Sequence, residues 1–179
     1  MKKIASLFAV AMMASSVIAG PVTYDKGSKT PQPPMPETCF GPGLDIGLFG
    51  SALIPKDSRD GYDTGGGGGI LVDYFFCNYV GIEASYAANS TASTLHTYGA
   101  DLILRAPIES LCIAPYIMAG GGGDTDGSSL GQWNVGGGLD VRFRGSPLGI
   151  FADAAYYWHN SDERDRDYTM IRAGIKWKL

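Results

Sequence analysis

One loop of this 179-residue sequence carries side chains that could catalyse ester hydrolysis. His159 and Ser161 stand two positions apart and Glu163 follows them, which brings together a base, a hydroxyl and a carboxylate. Such a set can activate a serine for attack on an ester carbonyl. The stretch 160–167, NSDERDRD, is also typical of a solvated loop tip. We therefore predict that the chain is not an enzyme, and keep hydrolysis by these three residues as the alternative.

Two glycine runs and one acidic motif match ligand-binding sequences only in part. The runs at 65–69 and 120–123 lack the Lys-Ser/Thr pair and the following helix of a phosphate loop, so we expect them to allow tight curvature. The Asp-Thr-Asp-Gly motif at 124–127 lacks the downstream acidic ligand of a calcium loop. No cysteine pair has zinc-ligand spacing. We predict no cofactor and no metal site.

The composition argues against nucleic acid as a partner. The formal charge is −4, from 14 basic and 18 acidic side chains, and the only basic cluster is an N-terminal pair. With 45% hydrophobic residues and a mean hydropathy near zero, the chain is expected to fold as one domain.

The N-terminal region is typical of an export signal. Lys2 and Lys3 precede an apolar stretch over 4–14, and residues 17–19 suit signal peptidase cleavage after Ala19. We predict a signal peptide over 1–19 and a loose periplasmic linker over 20–38, where five prolines occur among polar residues. No later apolar run is long enough for a membrane-spanning helix.

Residues 39–179 alternate with period two, which predicts an all-β domain. The eight segments cover 40–53, 62–76, 79–87, 95–106, 112–121, 131–143, 148–159 and 168–179. Short predicted connections (77–78, 107–111, 144–147) alternate with longer ones (54–61, 88–94, 122–130, 160–167). This arrangement predicts an eight-stranded antiparallel up-and-down barrel with both termini on the short-turn side.

One face of the predicted strands is almost free of charge, and the other collects the ionisable residues. That second face holds Asp45, Asp73, Glu83, Asp101, Arg105, Asp140, Arg142, Asp153, Arg172 and Lys176. An eight-stranded barrel has room inside only for its own side chains, and buried charges must be paired. We therefore predict a lumen filled by an ion-pair network, with a narrow low-conductance channel as an alternative.

Aromatic residues on the apolar face indicate that this face meets lipid. They cluster near the short turns (Tyr74, Phe76, Phe143 and Trp177) and near the long loops (Tyr86, Tyr98, Trp133, Tyr156 and Trp158). Two such girdles flank the apolar band of a transmembrane β-barrel. The ten steps from Trp133 to Phe143 span about 23 Å at a tilt of ~45°, against an apolar band of ~25 Å. A secreted soluble barrel is the alternative.

The C-terminal octet is similar to the assembly signal of bacterial outer-membrane proteins. Its matching positions are Arg172, Gly174, Trp177 and Leu179, where the last position more often holds Phe. With the signal peptide and eight strands, the chain resembles the small OmpA/OmpX-like outer-membrane β-barrel family. The resemblance implies insertion by the outer-membrane assembly machinery, contact with outer-membrane lipid and lipopolysaccharide, and termini in the periplasm.

The same resemblance gives the hydrolysis hypothesis a substrate. Some eight-stranded outer-membrane barrels are lipid A deacylases with a His-x-Ser pair and a Glu, the spacing found in His159-Asn160-Ser161, although their flanking Asn and Gly are absent here. We instead expect a non-catalytic barrel whose four surface loops serve adhesion or binding of an unidentified ligand, and which supports envelope integrity.

The three cysteines all fall at the short-turn end of the predicted barrel. The start of the first strand should meet the end of the second, because these strands are antiparallel neighbours. We therefore predict a disulfide between Cys39 and Cys77, with Cys112 free or paired to the linker.

Overall fold

Eight antiparallel strands, joined in the order of the chain, close into a barrel. The computed structural model describes residues 38–56, 63–91, 94–126, 129–159 and 167–179. The strands are β1 (Gly43–Pro55), β2 (Gly65–Phe75), β3 (Val80–Ser90), β4 (Thr94–Arg105), β5 (Ile113–Thr125), β6 (Ser129–Arg142), β7 (Leu148–His159) and β8 (Tyr168–Lys178). Pairing of β1 with β8 completes the ring. The predicted fold is confirmed, and each predicted segment forms a strand.

The two ends of the barrel differ in what they carry. The end that we call the turn end holds the connections 76–79, 106–112 and 143–147, the start of β1 and the end of β8. The opposite loop end holds the connections 56–64, 91–93, 126–128 and 160–167. The predicted long loops over 88–94 and 122–130 are wrong, because β3, β4, β5 and β6 extend through most of them and leave only three-residue connections.

The glycine runs explain part of that extension, since they let neighbouring strands lie close together. A Cβ atom on Gly69 would collide with the carbonyl oxygen of Tyr86, and one on Gly122 with that of Tyr98. β5 therefore continues through its glycine run to Thr125, paired with β4 and β6.

Side chains alternate between the lumen and the outer surface along every strand. On β6, Leu139 is 41% exposed, whereas Asp140 is 2% exposed and faces the interior with Arg142. The charged face of the sheet is thus inside and the apolar face outside, opposite to the arrangement of a soluble barrel. Within the described part of the chain, the structure has no helix of the length and hydrophobicity that a bilayer crossing requires.

Candidate functional site

The first four strands place a row of carboxylates along one wall of the lumen. The strand register sets Asp45 opposite Asp73, Asp73 opposite Glu83, and Glu83 opposite Asp101. All four side chains are buried. Like charges directly opposite each other destabilise a sheet, so this row requires cations from elsewhere in the barrel.

Arg172 on β8 supplies the central cation. Its Nη1 donates to Glu83 Oε1 at 2.7 Å, across the lumen, and its Nε and Nη2 donate to the two oxygens of Asp153 at 2.8 and 2.9 Å. Asp153 also accepts a hydrogen bond of 2.6 Å from the Tyr116 hydroxyl. This planar, bidentate geometry is the one that offsets the cost of burying a guanidinium and its partners.

Two further cations lie closer to the turn end. Arg142 donates from Nη2 to Asp45 Oδ2 at 2.6 Å and from Nε to Asp140 Oδ1 at 2.9 Å. Lys176 Nζ lies 2.6 Å from Asp73 Oδ2 and 4.0 Å from Glu83 Oε2. The Lys176 ammonium also sits 4.5 Å from the centre of the Phe151 ring, a cation–π contact. These residues fill the lumen with ion pairs and aromatic rings.

Two residues of the predicted ion-pair network have other kinds of partner. Among the described residues, Asp101 accepts a hydrogen bond of 2.6 Å from Asn134 Nδ2 and makes no salt bridge. Arg105 likewise makes no salt bridge there, and its guanidinium lies 3.4 Å from the centre of the Phe75 ring. Arg105 ends β4, where backbone carbonyls replace carboxylates: its Nε donates to Asn78 O and its Nη2 to Gly41 O.

The turn-end mouth is closed by the segment before β1. We call residues 38–42 the N-terminal plug. Phe40 is 1% exposed and lies against Arg105, with 5.2 Å between its ring centre and the guanidinium carbon. The backbone NH of Cys39 donates to Glu109 Oε2 at 2.8 Å. The plug therefore covers the lumen at the turn end and contacts the β4–β5 connection.

The disulfide joins Cys39 to Cys112, so the predicted Cys39–Cys77 pairing is wrong. Cys77 has a free, exposed thiol. The prediction extended the β1–β2 ladder down to Cys39, but β1 begins only at Gly43, and the preceding residues run instead toward the β4–β5 connection. Cys112 ends that connection in the left-handed region, with φ of +53°.

A second polar cluster closes the loop-end mouth. Tyr168 Oη lies 3.0 Å from both Asp124 Oδ2 and Gln132 Oε1, and His159 Nε2 lies 3.0 Å from Asp124 Oδ2. The His159 and Asp124 side chains are both about 1% exposed. His159 thus points into the barrel, whereas Ser161 and Glu163 of the hydrolysis hypothesis lie outside the described residues.

Asp124, Gln132 and Tyr116 were missing from the predicted site. The signal that could have found them is strand parity, because each shares a face with a predicted lumen residue of its own or a neighbouring strand. Asp124 lay in the predicted loop over 122–130, and Gln132 lay at the edge of its predicted segment. No group of three His, Cys, Asp or Glu side chains suited to a metal ion occurs in the described ranges.

The aromatic residues of both predicted girdles lie on the outer face. Near the turn end these are Tyr74, Phe76, Phe143 and Trp177, and near the loop end Tyr86, Tyr98, Trp133, Tyr156 and Trp158. In the C-terminal octet, Trp177 and Leu179 point outward, while Arg172 points inward. Gly174 packs against β1, where a Cβ atom would meet the side chain of Phe49 and the carbonyl of Leu48.

A closed eight-stranded barrel with an ionic interior and an apolar exterior has the fold of small outer-membrane barrels. Solved structures share it. The crystal structure of Neisserial surface protein A matches with a TM-score of 0.66 at 15% identity, over 78% of this chain and 99% of that one. The N-terminal β-barrel domain of Pseudomonas aeruginosa OprF gives a TM-score of 0.58 at 15% identity, over 78% and 99% of the two chains. Ail, the attachment invasion locus protein of Yersinia pestis, gives 0.51 at 17% identity with the same coverage.

These likenesses establish the fold alone, because the identities are low. No protein-family model matches the chain, and no curated protein matches it. The OmpA/OmpX-like resemblance is therefore supported at the level of fold and not of family.

Proposed function

We propose that the chain is a non-catalytic, non-conducting integral barrel of the bacterial outer membrane that presents a binding surface at its loop end and supports envelope integrity. The observation that carries this proposal is the orientation of the strands, with charged side chains inside and the apolar, aromatic-flanked face outside. A lipid bilayer is the environment in which that arrangement is stable.

The filled interior supports the absence of a wide pore. The N-terminal plug, the ion pairs around Arg142, Lys176 and Arg172, and the cluster around Asp124 lie one above another along the lumen. Each layer is built from buried side chains in contact. Ion passage would require several of these pairs to separate together, which is costly in a low dielectric.

The connections 56–64 and 160–167 are the best candidates for the binding surface, because the other two at the loop end contain only three residues. They are attached to neighbouring strands, since β1 pairs with β8. Where these connections meet the barrel, the backbone NH of Lys56 donates a hydrogen bond of 2.9 Å to Asp167 O. The side chains of the same two residues form an ion pair of 3.7 Å. Both carry charges of mixed sign, suited to lipopolysaccharide phosphates or to a polar protein partner. Ail is named for attachment and invasion, and a comparable role here is part of the proposal.

The first experiment tests location and topology. Outer membranes are isolated from cells expressing the chain, and the band is compared with and without boiling. We expect a boiling-dependent shift, cleavage within 56–64 or 160–167 by protease added to intact cells, and no porin-level current in planar bilayers. A band in the soluble fraction, or cleavage restricted to the turn end, would contradict the proposal.

The second experiment tests the binding surface. Both long connections are replaced by two-residue Asn-Gly turns, which suit antiparallel hairpins. The control variant carries substitutions in 126–128 instead. We expect the first variant to keep the boiling-dependent shift and lose adhesion of cells to host matrix or to lipopolysaccharide-coated surfaces, while the control keeps both. Equal adhesion by both variants would contradict a role for these connections.

Wild-type barrel is assayed in parallel for lipid A deacylation, which we expect to be absent.

A further inference from the structure

The N-terminal plug combines a flexible residue, a buried aromatic side chain and a disulfide that ties it to the barrel. Its hinge is Gly43, whose φ of +139° is a conformation that other residues rarely adopt. Its stopper is Phe40, buried under Arg105. Its latch is the bridge between Cys39 and Cys112, which holds the two Cα atoms 5.4 Å apart.

We propose that this bridge is a redox latch: when it is formed the plug closes the turn-end mouth, and when it is reduced the plug swings out on Gly43 and uncovers Cys112 and Arg105. The non-covalent hold of the plug is slight. In the described part of the chain it comprises the buried Phe40 ring, the bond from Arg105 to Gly41 O at 3.1 Å, and two contacts of Cys39 with Glu109, from the backbone NH at 2.8 Å and from Sγ at 3.9 Å. The loss of conformational freedom on ordering five residues opposes a hold of this size.

Formation and reduction of the Cys39–Cys112 bridge are thiol–disulfide exchange reactions, in which the electrons balance. On closing, the Cys39 and Cys112 thiols lose two protons and two electrons to a protein disulfide, which becomes a dithiol, by way of a mixed disulfide. On opening, a dithiol reductant reverses each step. The source of a protein oxidant rests on the proposed outer-membrane location, because the periplasm is oxidising. The latch itself is a property of the folded barrel and can be tested without cells.

The test measures how fast Cys112 reacts with a maleimide in the purified barrel in detergent micelles. The background is Cys77→Ser, so that only the bridge thiols can react. Labelling is counted only in the compact, unboiled band, which excludes unfolded molecules. The reference rate is that of Cys77 in the variant Cys39→Ser/Cys112→Ser, since this thiol is exposed.

We expect no labelling of the oxidised protein. After reduction, or without reductant in Cys39→Ser/Cys77→Ser, Cys112 should react within about tenfold of the Cys77 rate, although it is 5% exposed in the closed structure. A reduced protein whose Cys112 reacts more than about tenfold slower than Cys77 would overturn the latch and show that the plug stays closed without it.

Two further variants separate release of the plug from general loosening of the turn end. Phe40→Ala removes the stopper. Leu111→Ala is the matched control, because Leu111 belongs to the same connection as Cys112 but is 64% exposed. We expect both to leave the reduced rate within about threefold, since the plug is already out. A selective acceleration by Phe40→Ala would mean that Phe40 still holds the reduced plug, and it would overturn the proposal. A failure of surface cleavage in cells would contradict the outer-membrane proposal and leave this measurement unaffected.

Discussion

The two halves of the barrel differ in the charge that they bring to the lumen: among the buried side chains, β1 to β4 carry four acids and one cation, whereas β5 to β8 carry three acids and three cations. β1 to β4 place four carboxylates in register across neighbouring strands, and Arg105, at the turn end of β4, is the only buried cation among the described residues of these strands. β6 and β8 provide Arg142, Arg172 and Lys176. Each of these three cations contacts an acid of the first half, so the strongest polar contacts join parts of the chain that are far apart in sequence.

The first half is therefore not electrostatically complete, because its four buried acids outnumber its one buried cation. The contacts from Arg172 to Glu83 and from Lys176 to Asp73 span 89 and 103 residues. They can form only when the second half has closed over the first. Loss of a cation leaves buried acids without a partner, whereas neutralising an acid in the row also removes a repulsion. Mutations on the two sides should therefore differ in size.

The largest effect is expected for Arg172→Met. It leaves Asp153 buried without its cation and Glu83 with the longer 4.0 Å contact to Lys176, and we expect the free energy of unfolding to fall by about 3–5 kcal/mol. The measurement is urea unfolding of the barrel in detergent micelles, followed by tryptophan fluorescence. The control is Arg144→Met, because Arg144 is exposed and its contacts to Glu109 O and Ser110 O are 3.5 Å long. Equal losses of unfolding free energy from the two substitutions would contradict a specific stabilising role for Arg172.

An intermediate effect is expected from breaking one pair across the halves. Lys176→Met and Asp73→Asn should each cost about 2–3 kcal/mol, and the double variant should cost less than their sum by at least about 1 kcal/mol. The matched control combines Lys176→Met with Asp101→Asn, in which the acid belongs to the same row but contacts Asn134 instead. We expect that combination to be additive. Coupling of similar size in both cycles would mean that the row responds as a whole and not through defined pairs.

The smallest effect is expected for Asp101→Asn. The amide oxygen can still accept the hydrogen bond from Asn134, and the change removes a negative charge opposite Glu83. We expect a change within about 1 kcal/mol, neutral or stabilising. Asp153→Asn provides the comparison, because Asp153 holds both Arg172 and Tyr116. A loss for Asp101→Asn as large as that for Asp153→Asn would contradict the distinction between paired and unpaired acids.

Strand parity accounts for what the sequence could predict. An alternation such as Leu139-Asp140-Val141-Arg142 leaves only the choice of which face is inside, and the aromatic positions indicated that choice. Parity also assigned the charged residues to the lumen, but it could not reveal their pairing. Whether Arg172 meets Glu83 or Asp73 depends on the stagger between strands that are distant in the chain and adjacent or opposite in the barrel.

Local exceptions to regular strand pairing were beyond sequence reasoning. Cys39 lies before β1 and does not follow the ladder, so extrapolating the register to Cys77 gave the wrong partner. The glycines at 120–123 suggested an irregular loop, yet they continue β5 because neighbouring backbones approach too closely for side chains. The loop-end cluster of Asp124, His159 and Tyr168 required the second of these corrections, since Asp124 lies on the part of β5 beyond its predicted end at 121.

The bond between Cys39 and Cys112 also affects the denatured protein. It encloses β1 to β4, the half with the row of four carboxylates, in a covalent ring with a sequence separation of 73 residues. A chain denatured without reductant keeps this ring and has fewer conformations to lose on refolding, an advantage of about 4 kcal/mol in the chain-entropy model. The strands whose carboxylates repel one another are thus kept near each other before their cations arrive.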